Sequence, residues 1–391
     1  MEWRCRQEIE DALWHAARKA LRPADLVRKP LLRAITERTA LYTTERNELA
    51  SVARTLMPGV DLAARALFFS VADAAKISIP LSEMAGRACL PPGSSWRVLD
   101  LGAGAGAMGL GLLSFAADHH PGLAVQIDAI DLDAAALSIY RDAIAALQTS
   151  GLDLGALQIR TSTDAASRFD ATDGSYDLVL MGSMLNELGE AERVCLASRA
   201  MKAVSAGGAL VIVEPALRET SRALHRVRDS LVAGGAHVFA PCTHRESTCP
   251  ALADERDWCH EDRAVVLPSR ARQMAQTTGL RDGGMKFSYL VMRHGDEALV
   301  ESSEQLVALR VVGQPQRSKG QRECYVCGAQ GRHKLRLLKR NRTAKNRLFE
   351  RAKRGDVLLA EGVETSEASA RVDLRKTQTV ELIRAAELLD P

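Results

Sequence analysis

Aromatic residues make up only 4% of this 391-residue chain, and it has no apolar run of the 18 or so residues that a membrane-spanning helix requires. The first residues also lack the apolar core of a secretory signal, and acids at Glu2, Glu8 and Asp11 are untypical of an organellar transit peptide. These absences predict a cytoplasmic protein with no membrane partner.

Cysteine is scarce but unevenly placed. Three of the eight cysteines, Cys242, Cys249 and Cys259, lie in a stretch of loop-like composition at 240–260, and Cys324 and Cys327 form a later C-x-x-C. Disulfides are rare in a reducing compartment, where clustered cysteines are more often metal ligands or catalytic groups. Both groups are therefore candidate metal ligands.

The spacing of these thiols does not distinguish a zinc ion from an iron–sulfur cluster. A zinc ion and a four-iron cluster both accept thiolates, and zinc could also use His244, His260 or His333. The alternative without a metal is a set of free thiols in a loop.

Residues 1–90 are rich in Ala, Leu, Arg and Glu and predict an N-terminal helical domain. In 91–312, strand-length apolar runs alternate with helical stretches, which predicts an α/β, Rossmann-like domain with a doubly wound parallel sheet. The cysteine-rich insertion 240–260 lies inside this domain. A basic segment, 313–360, and a charged tail, 361–391, follow it. The apolar runs are 96–101, 124–130, 156–162, 176–182, 209–215, 286–294 and 304–312.

The glycine-rich stretch "VLDLGAGAGAMGLG" connects the first of these strands to a helix, where backbone N–H groups can cradle a cofactor. Gly104, Gly106 and Gly109 satisfy the dinucleotide pattern G-x-G-x-x-G. Gly102, Gly104 and Gly106 satisfy the D-x-G-x-G-x-G pattern of class I methyltransferases. The glycines alone do not choose between the two cofactors.

Acidic residues near the loop favour S-adenosylmethionine. Asp100 stands two residues before the first glycine, where a carboxylate would repel a pyrophosphate but suits a cationic amino-acid group. Asp131, at the end of the next strand, can accept the ribose hydroxyls of either cofactor. Asn186, which follows the strand at 176–182, is a further candidate cofactor-binding residue, but no Pro-Pro-aromatic sequence accompanies it and no catalytic residue is identified.

The combination of VLDLGAGAG, "AIDLD", "APCTHRESTCP…DWCH" and the late "CGAQG" resembles the methyltransferase-like assembly factors of the mitochondrial small ribosomal subunit and their bacterial relatives. The resemblance covers roughly residues 30–356. It implies a class I methyltransferase fold, binding of small-subunit rRNA, and a 4Fe-4S cluster. The implied cluster ligands are Cys242, Cys249, Cys259 and Cys327. Cys324 is an additional thiol that could compete for the fourth place.

The segment from Arg310 to Arg354 contains fifteen Lys or Arg residues against two acids. Such a charge suits an RNA backbone, and "HKLRLLK" could be a strand with its leucines inward and its bases outward. The alternative is a solvated surface without a ligand. The expected RNA-binding residues are Arg332, Lys334, Arg336, Lys339, Arg340, Arg342, Lys345 and Arg347.

We therefore expect a monomeric, rRNA-binding assembly factor that also binds S-adenosylmethionine and an iron–sulfur cluster. The main alternative is an active methyltransferase of rRNA or a small molecule with a structural zinc site. A dinucleotide-dependent enzyme would require Asp100 to tolerate a pyrophosphate.

Overall fold

The computed structural model describes residues 3–43, 57–244, 248–281, 284–303, 305–363 and 371–383. It contains an N-terminal helical layer, a central eight-stranded sheet flanked by helices, and a second, seven-stranded sheet near the C-terminus.

The N-terminal layer begins with a two-residue strand, β1, and continues as helices. Leu, Ile and Ala recur on the buried side of these helices, and Pro58 occupies a first-turn position, where proline does not interrupt helical hydrogen bonding. A π-helical segment, Arg65–Ser70, and a 3-10 turn, Ala75–Ile77, join the last three helices into one stretch. The elements are β1 (Trp3–Arg4), α1 (Gln7–Ala20), α2 (Arg28–Thr43), α3 (Pro58–Ala64), α4 (Val71–Ala74) and α5 (Ser78–Ala85).

The central domain contains the next nine strands and five helices. Its strands are β2 (Ser95–Leu101), β3 (Ala124–Asp131), β4 (Leu157–Thr163), β5 (Tyr176–Gly182), β6 (Val204–Pro215), β7 (His237–Ala240), β8 (Glu261–Arg263), β9 (Val265–Val266) and β10 (Met285–Arg293). Its helices are α6 (Ala107–His119), α7 (Ala134–Leu147), α8 (Glu190–Ala203), α9 (Arg218–Ala233) and α10 (Ser269–Thr278).

The central sheet has the strand order β4-β3-β2-β5-β6-β10-β7. Strands β2 to β6 are parallel, whereas β10 runs antiparallel to both β6 and β7. Buried side chains on both faces pack against helices, as expected for parallel strands that read as continuous apolar runs. Because the order reverses direction at β2, the β2–α6 and β3–α7 loops open at the same edge, where ligands of such sheets bind.

The second sheet is built from the basic segment and part of the tail. Its strands are β11 (Leu306–Val311), β12 (Gln316–Ser318), β13 (Gln321–Gly328), β14 (Gly331–Leu338), β15 (Val357–Glu361), β16 (Arg371–Asp373) and β17 (Val380–Ile383). The order is β16-β14-β13-β11-β15-β17, with β12 paired to β13, and the sheet has a hydrophobic cluster of its own.

This arrangement corrects the expected boundaries. The stretch at 304–312 does not end the Rossmann-like domain, because β11 pairs with β13 and β15 of the second sheet. The tail 361–391 is not separate either, since β16 and β17 pair with β14 and β15. Residues 364–370 and 384–391 lie outside the described residues.

A buried ion-pair network joins the second sheet to the rest of the protein. The Arg310 guanidinium on β11 lies 2.7 Å from Glu83 of α5 and 3.1 Å from Glu261 of β8. It also donates a hydrogen bond of 2.9 Å to the Tyr289 hydroxyl on β10. All four residues are at most 5% exposed, so one arginine links three layers of the molecule.

The N-terminus is held by residues far along the chain. β1 pairs in parallel with β9, and the fully buried Glu10 carboxylate accepts hydrogen bonds from the Arg270 and Ala271 backbone N–H groups at 3.0 and 2.6 Å. These N–H groups open α10, where a carboxylate satisfies unpaired donors and the helix dipole.

Candidate functional site

The glycine loop between β2 and α6 has the backbone geometry that its sequence predicts. Gly102, Gly104 and Gly106 have φ of +65°, +53° and +89°, in the left-handed region that favours glycine. A Cβ at Gly106 would lie 2.2 Å from the Tyr140 ring, whereas one at Gly104 would meet nothing within 4 Å. Gly106 is therefore needed for packing, while Gly104 faces open space that a ligand could occupy.

Asp100 and Asp131 both lie at this loop. Asp100 is 1% exposed and accepts a hydrogen bond of 3.3 Å from the Tyr140 hydroxyl. Burial raises the pKa of Asp100 to about 7. The Asp131 carboxylate accepts the N–H groups of Gly104 and Asp133, each at 2.8 Å, and so fixes the loop itself.

Asn186 lies at the same edge of the sheet, beyond β5. Its side-chain amide donates a hydrogen bond of 2.8 Å to Glu214 at the end of β6, and Glu214 also accepts the Leu185 N–H at 3.0 Å. Asn186 and Lys76 line a cavity of about 720 Å³ between the N-terminal helices and the ends of β5 and β6.

Lys76 is the unexpected group in this cavity. It is 2% exposed and lies 3.0 Å from Asp73, and burial lowers its pKa to about 8. Tyr42 and Phe69 add aromatic walls to the same cavity. Sequence reasoning missed this lysine, because its burial depends on packing against elements that are distant in sequence.

The four cysteines implied by the resemblance line a single cavity. Cys242, Cys249 and Cys259 come from the loop between β7 and β8, and Cys327 comes from β13 of the second sheet. The Thr243 hydroxyl donates hydrogen bonds of 2.9 and 3.3 Å to the carbonyls of Ala308 and Cys327. The cavity thus lies at the junction of the two sheets.

Burial dominates the acidity of these thiols. It raises the pKa of Cys259 to about 11, and it also raises the pKa values of Cys242, Cys249 and Cys327. The neighbouring thiols add to the rise at Cys249, Cys259 and Cys327, which reflects their closeness to one another. Without a bound cation the four thiols are therefore protonated at neutral pH.

Guanidinium groups surround the same cavity. Arg228 of α9 and Arg332 of β14 line it. The positive charge of Arg228 lowers the pKa of Cys242, and that of Arg332 lowers the pKa of Cys259, which partly opposes the rise caused by burial. Arg228 also contacts His244 at 3.3 Å and Asp229 at 2.6 Å. Nothing in the spacing of α9 singles out Arg228, so sequence reasoning missed it.

Cys324 does not line the cavity. It is 3% exposed and packs in the hydrophobic cluster of the second sheet, because side chains three residues apart on a strand point to opposite faces. His244 and His260 do line the cavity, and burial lowers the pKa of each to about 4, whereas His333 is directed to the Gln330 carbonyl. In the described part of the chain, no group of three or more His, Cys, Asp or Glu residues is arranged to hold a metal ion.

The candidate RNA-binding residues fall into two sets. Arg332, Lys334, Arg336 and Arg342 are paired with Asp257, Glu323, Asp373 and Glu350 respectively. Lys339, Arg340, Lys345 and Arg347 are exposed in the segment after β14. As the alternation of "HKLRLLK" predicts, Leu335 and Leu337 are buried at 0% and 2%, while the alternate basic residues Lys334 and Arg336 are partly exposed.

Comparison with known proteins gives one family match. The family described as mitochondrial small ribosomal subunit Rsm22 matches residues 88–358. No curated protein matches the chain. Within the described ranges, no helix is long and apolar enough to cross a membrane.

Solved structures similar to the chain are distant. The magnesium protoporphyrin IX methyltransferase of Synechocystis PCC 6803 is 11% identical, with 56% of this chain and 78% of that chain covered at a TM-score of 0.33. A SAM-dependent methyltransferase of Leishmania major is 15% identical, with 62% and 77% covered at a TM-score of 0.35. The strand order of the central sheet and the family match, rather than these structures, establish the fold class.

Proposed function

The chain belongs to the Rsm22 family, and on that basis we propose that it is a methyltransferase-like assembly factor that binds the RNA of the small ribosomal subunit, S-adenosylmethionine and an iron–sulfur cluster. One observation carries the proposal: Cys327, on the basic hairpin formed by β13 and β14, lines the same cavity as the three loop cysteines. The cytoplasmic location and the monomeric state remain predictions.

The cofactor part of the proposal rests on the β2–α6 loop. The open space at Gly104 leaves room for the cofactor, and the ionised Asp100 would attract its ammonium group. The side chain of Leu132 is 75% exposed beside Asp131 and offers an apolar surface to a planar base.

The cluster part rests on the donor set. Zinc gathers its ligands at about 2.0–2.3 Å around one atom, whereas a cubane cluster takes one thiolate on each of four irons. Four thiols around one cavity could serve either metal, and the family resemblance is what favours the cluster. Cys242, Cys249, Cys259 and Cys327 would hold it, and the cluster would serve as a structural connection between the two sheets.

Arginines around the cavity suit an anionic group. Arg228 and Arg332 would offset the negative charge of four thiolates, which in their absence would be costly to bury. Because the same Arg332 lies on β14, loss of the cluster should also disturb the basic hairpin.

The test is to purify the protein without oxygen and measure iron, acid-labile sulfide and zinc per chain. About four irons and four sulfides are expected for a cubane cluster, with RNA binding that weakens in Cys327→Ser but not in Cys324→Ser. Zinc without sulfide, or RNA affinity unchanged in Cys327→Ser, would contradict the proposal.

A second function, an active methyltransferase, is favoured by the cavity of about 720 Å³ beside Asn186. Lys76, with a pKa of about 8, has the acidity suited to a general base near neutral pH. Formation of S-adenosylhomocysteine with rRNA fragments, lost in Lys76→Met, would support this activity. Cofactor binding without turnover would leave only the assembly role.

A further inference from the structure

In the described part of the chain, the exposed large hydrophobic side chains are Val27, Met57, Leu132 and Tyr325, and of these Tyr325 is aromatic. It lies on β13 and is 44% exposed, whereas Phe349, the other ring of the basic segment, is 1% exposed. The 44% of the residue that remains exposed leaves part of the ring available to a ligand.

Two cations lie next to this ring. The Lys334 ammonium is 5.1 Å and the Arg332 guanidinium 5.5 Å from the ring centroid. Lys334 is directly opposite Tyr325 in the antiparallel pairing of β13 with β14, so the sheet fixes this arrangement. Both cations lie over the ring and are also paired with acids, Lys334 with Glu323 and Arg332 with Asp257, so these contacts hold the ring in place.

The positive surface continues along the hairpin. The Lys339 N–H donates a hydrogen bond of 2.8 Å to the Gly320 carbonyl, which brings the β12–β13 turn next to the segment after β14. The exposed side chains of Arg317 and Lys319 are thereby placed near those of Lys339 and Arg340. A phosphate backbone could follow these cations past Tyr325.

We propose that Tyr325 stacks on an unpaired base of the bound RNA, while the exposed cations Lys339, Arg340, Arg317 and Lys319 neutralise the adjoining phosphates. The inference rests on the proposed RNA binding and specifies its site. Single-stranded RNA is commonly bound by stacking bases on aromatic rings beside a cationic track, and a duplex keeps its bases out of reach. The ligand is therefore a single-stranded or bulged segment rather than a continuous helix.

The test compares Tyr325→Ala and Tyr325→Phe for binding to a fluorescent single-stranded RNA and to an RNA duplex of the same length, over a range of salt. Tyr325→Ala should bind the single strand roughly 5- to 150-fold more weakly, which corresponds to about 1–3 kcal/mol per stacked base. Its salt dependence should be unchanged because no charge is lost. Tyr325→Phe should bind as wild type does, since the ring is kept.

Controls separate this inference from the proposed function. Lys339→Ala should weaken binding to both RNA forms and reduce the salt slope by about one, and Val27→Ala, which trims an exposed apolar side chain in the helical layer, should change nothing. Wild-type protein that binds neither RNA overturns the proposed function. Wild-type binding that Tyr325→Ala leaves intact, or weakens equally for single strand and duplex, overturns the stacking role alone.

Discussion

Replacement of Arg310 by Met tests how firmly the second sheet is joined to the Rossmann-like core. The variant keeps the length and packing of the side chain but leaves the Glu83 carboxylate, 0% exposed, with the Tyr289 hydroxyl as its remaining partner within this four-residue network. Glu261 loses Arg310 but keeps Arg263 at 2.9 Å. Removing one partner of a buried ion pair costs about 3–5 kcal/mol, so we expect a loss of that size in the free energy of unfolding.

A double-mutant cycle with Glu83→Gln makes this prediction specific. Chemical denaturation of wild type, Arg310→Met, Glu83→Gln and the double variant would be followed by tryptophan fluorescence and circular dichroism. Because the double variant has no unpaired Glu83 carboxylate, it should be more stable than Arg310→Met and should cost less than the two single changes together. Additive losses, or a loss below about 1 kcal/mol in Arg310→Met, would show that the network does not join the layers.

Three further predictions concern the cofactor loop and the thiols. Since the pKa of Asp100 is raised to about 7 and an ammonium group favours its ionised form, S-adenosylmethionine affinity should rise as the pH increases from 6 to 7.5. Calorimetry over this range measures the effect, and Asp100→Asn should lose both affinity and pH dependence. Gly106→Ala should abolish cofactor binding or folding because of its contact with Tyr140, whereas Gly104→Ala should fold, as circular dichroism would show, and weaken only cofactor binding. Burial holds the pKa of Cys259 at about 11, so the metal-free protein should react slowly with iodoacetamide at pH 7.5 and should release protons when iron and sulfide are supplied. Mass spectrometry measures the alkylation, and rapid alkylation of the cavity cysteines would contradict a buried site.

The central sheet could be predicted closely from sequence. The run predicted at 96–101 is strand β2 (Ser95–Leu101), and the run predicted at 176–182 is strand β5 (Tyr176–Gly182). Both were recognisable because buried parallel strands are continuous apolar stretches in the sequence. By contrast, Arg371–Asp373 and Val380–Ile383 are too short to show a period. These two segments form strands because they pair with the edges of β14 and β15, and this pairing depends on the tertiary structure.

In the candidate site, too, some features could be predicted from sequence and others depend on the tertiary structure. Cys327 and Cys324 could not be separated by counting residues, but once β13 is known to be a strand their separation of three places them on opposite faces. The roles of Arg228 and Lys76 could not be predicted, because each depends on burial against elements that are distant in sequence. The exposure of Tyr325 likewise depends on the sheet that surrounds it.

The contact between Glu10 and the start of α10 has a consequence for synthesis. The carboxylate that completes α1 packing finds its partners, Arg270 and Ala271, some 260 residues later. At a translation rate of about 5–20 residues per second, these partners are made roughly 13–50 s after Glu10. The rest of the buried face of α1 packs against α7 and the segment Arg65–Ser70, which are translated earlier. The Glu10 carboxylate therefore stays without these two donors until α10 has been made, so the N-terminal layer can form early but is completed only late in synthesis.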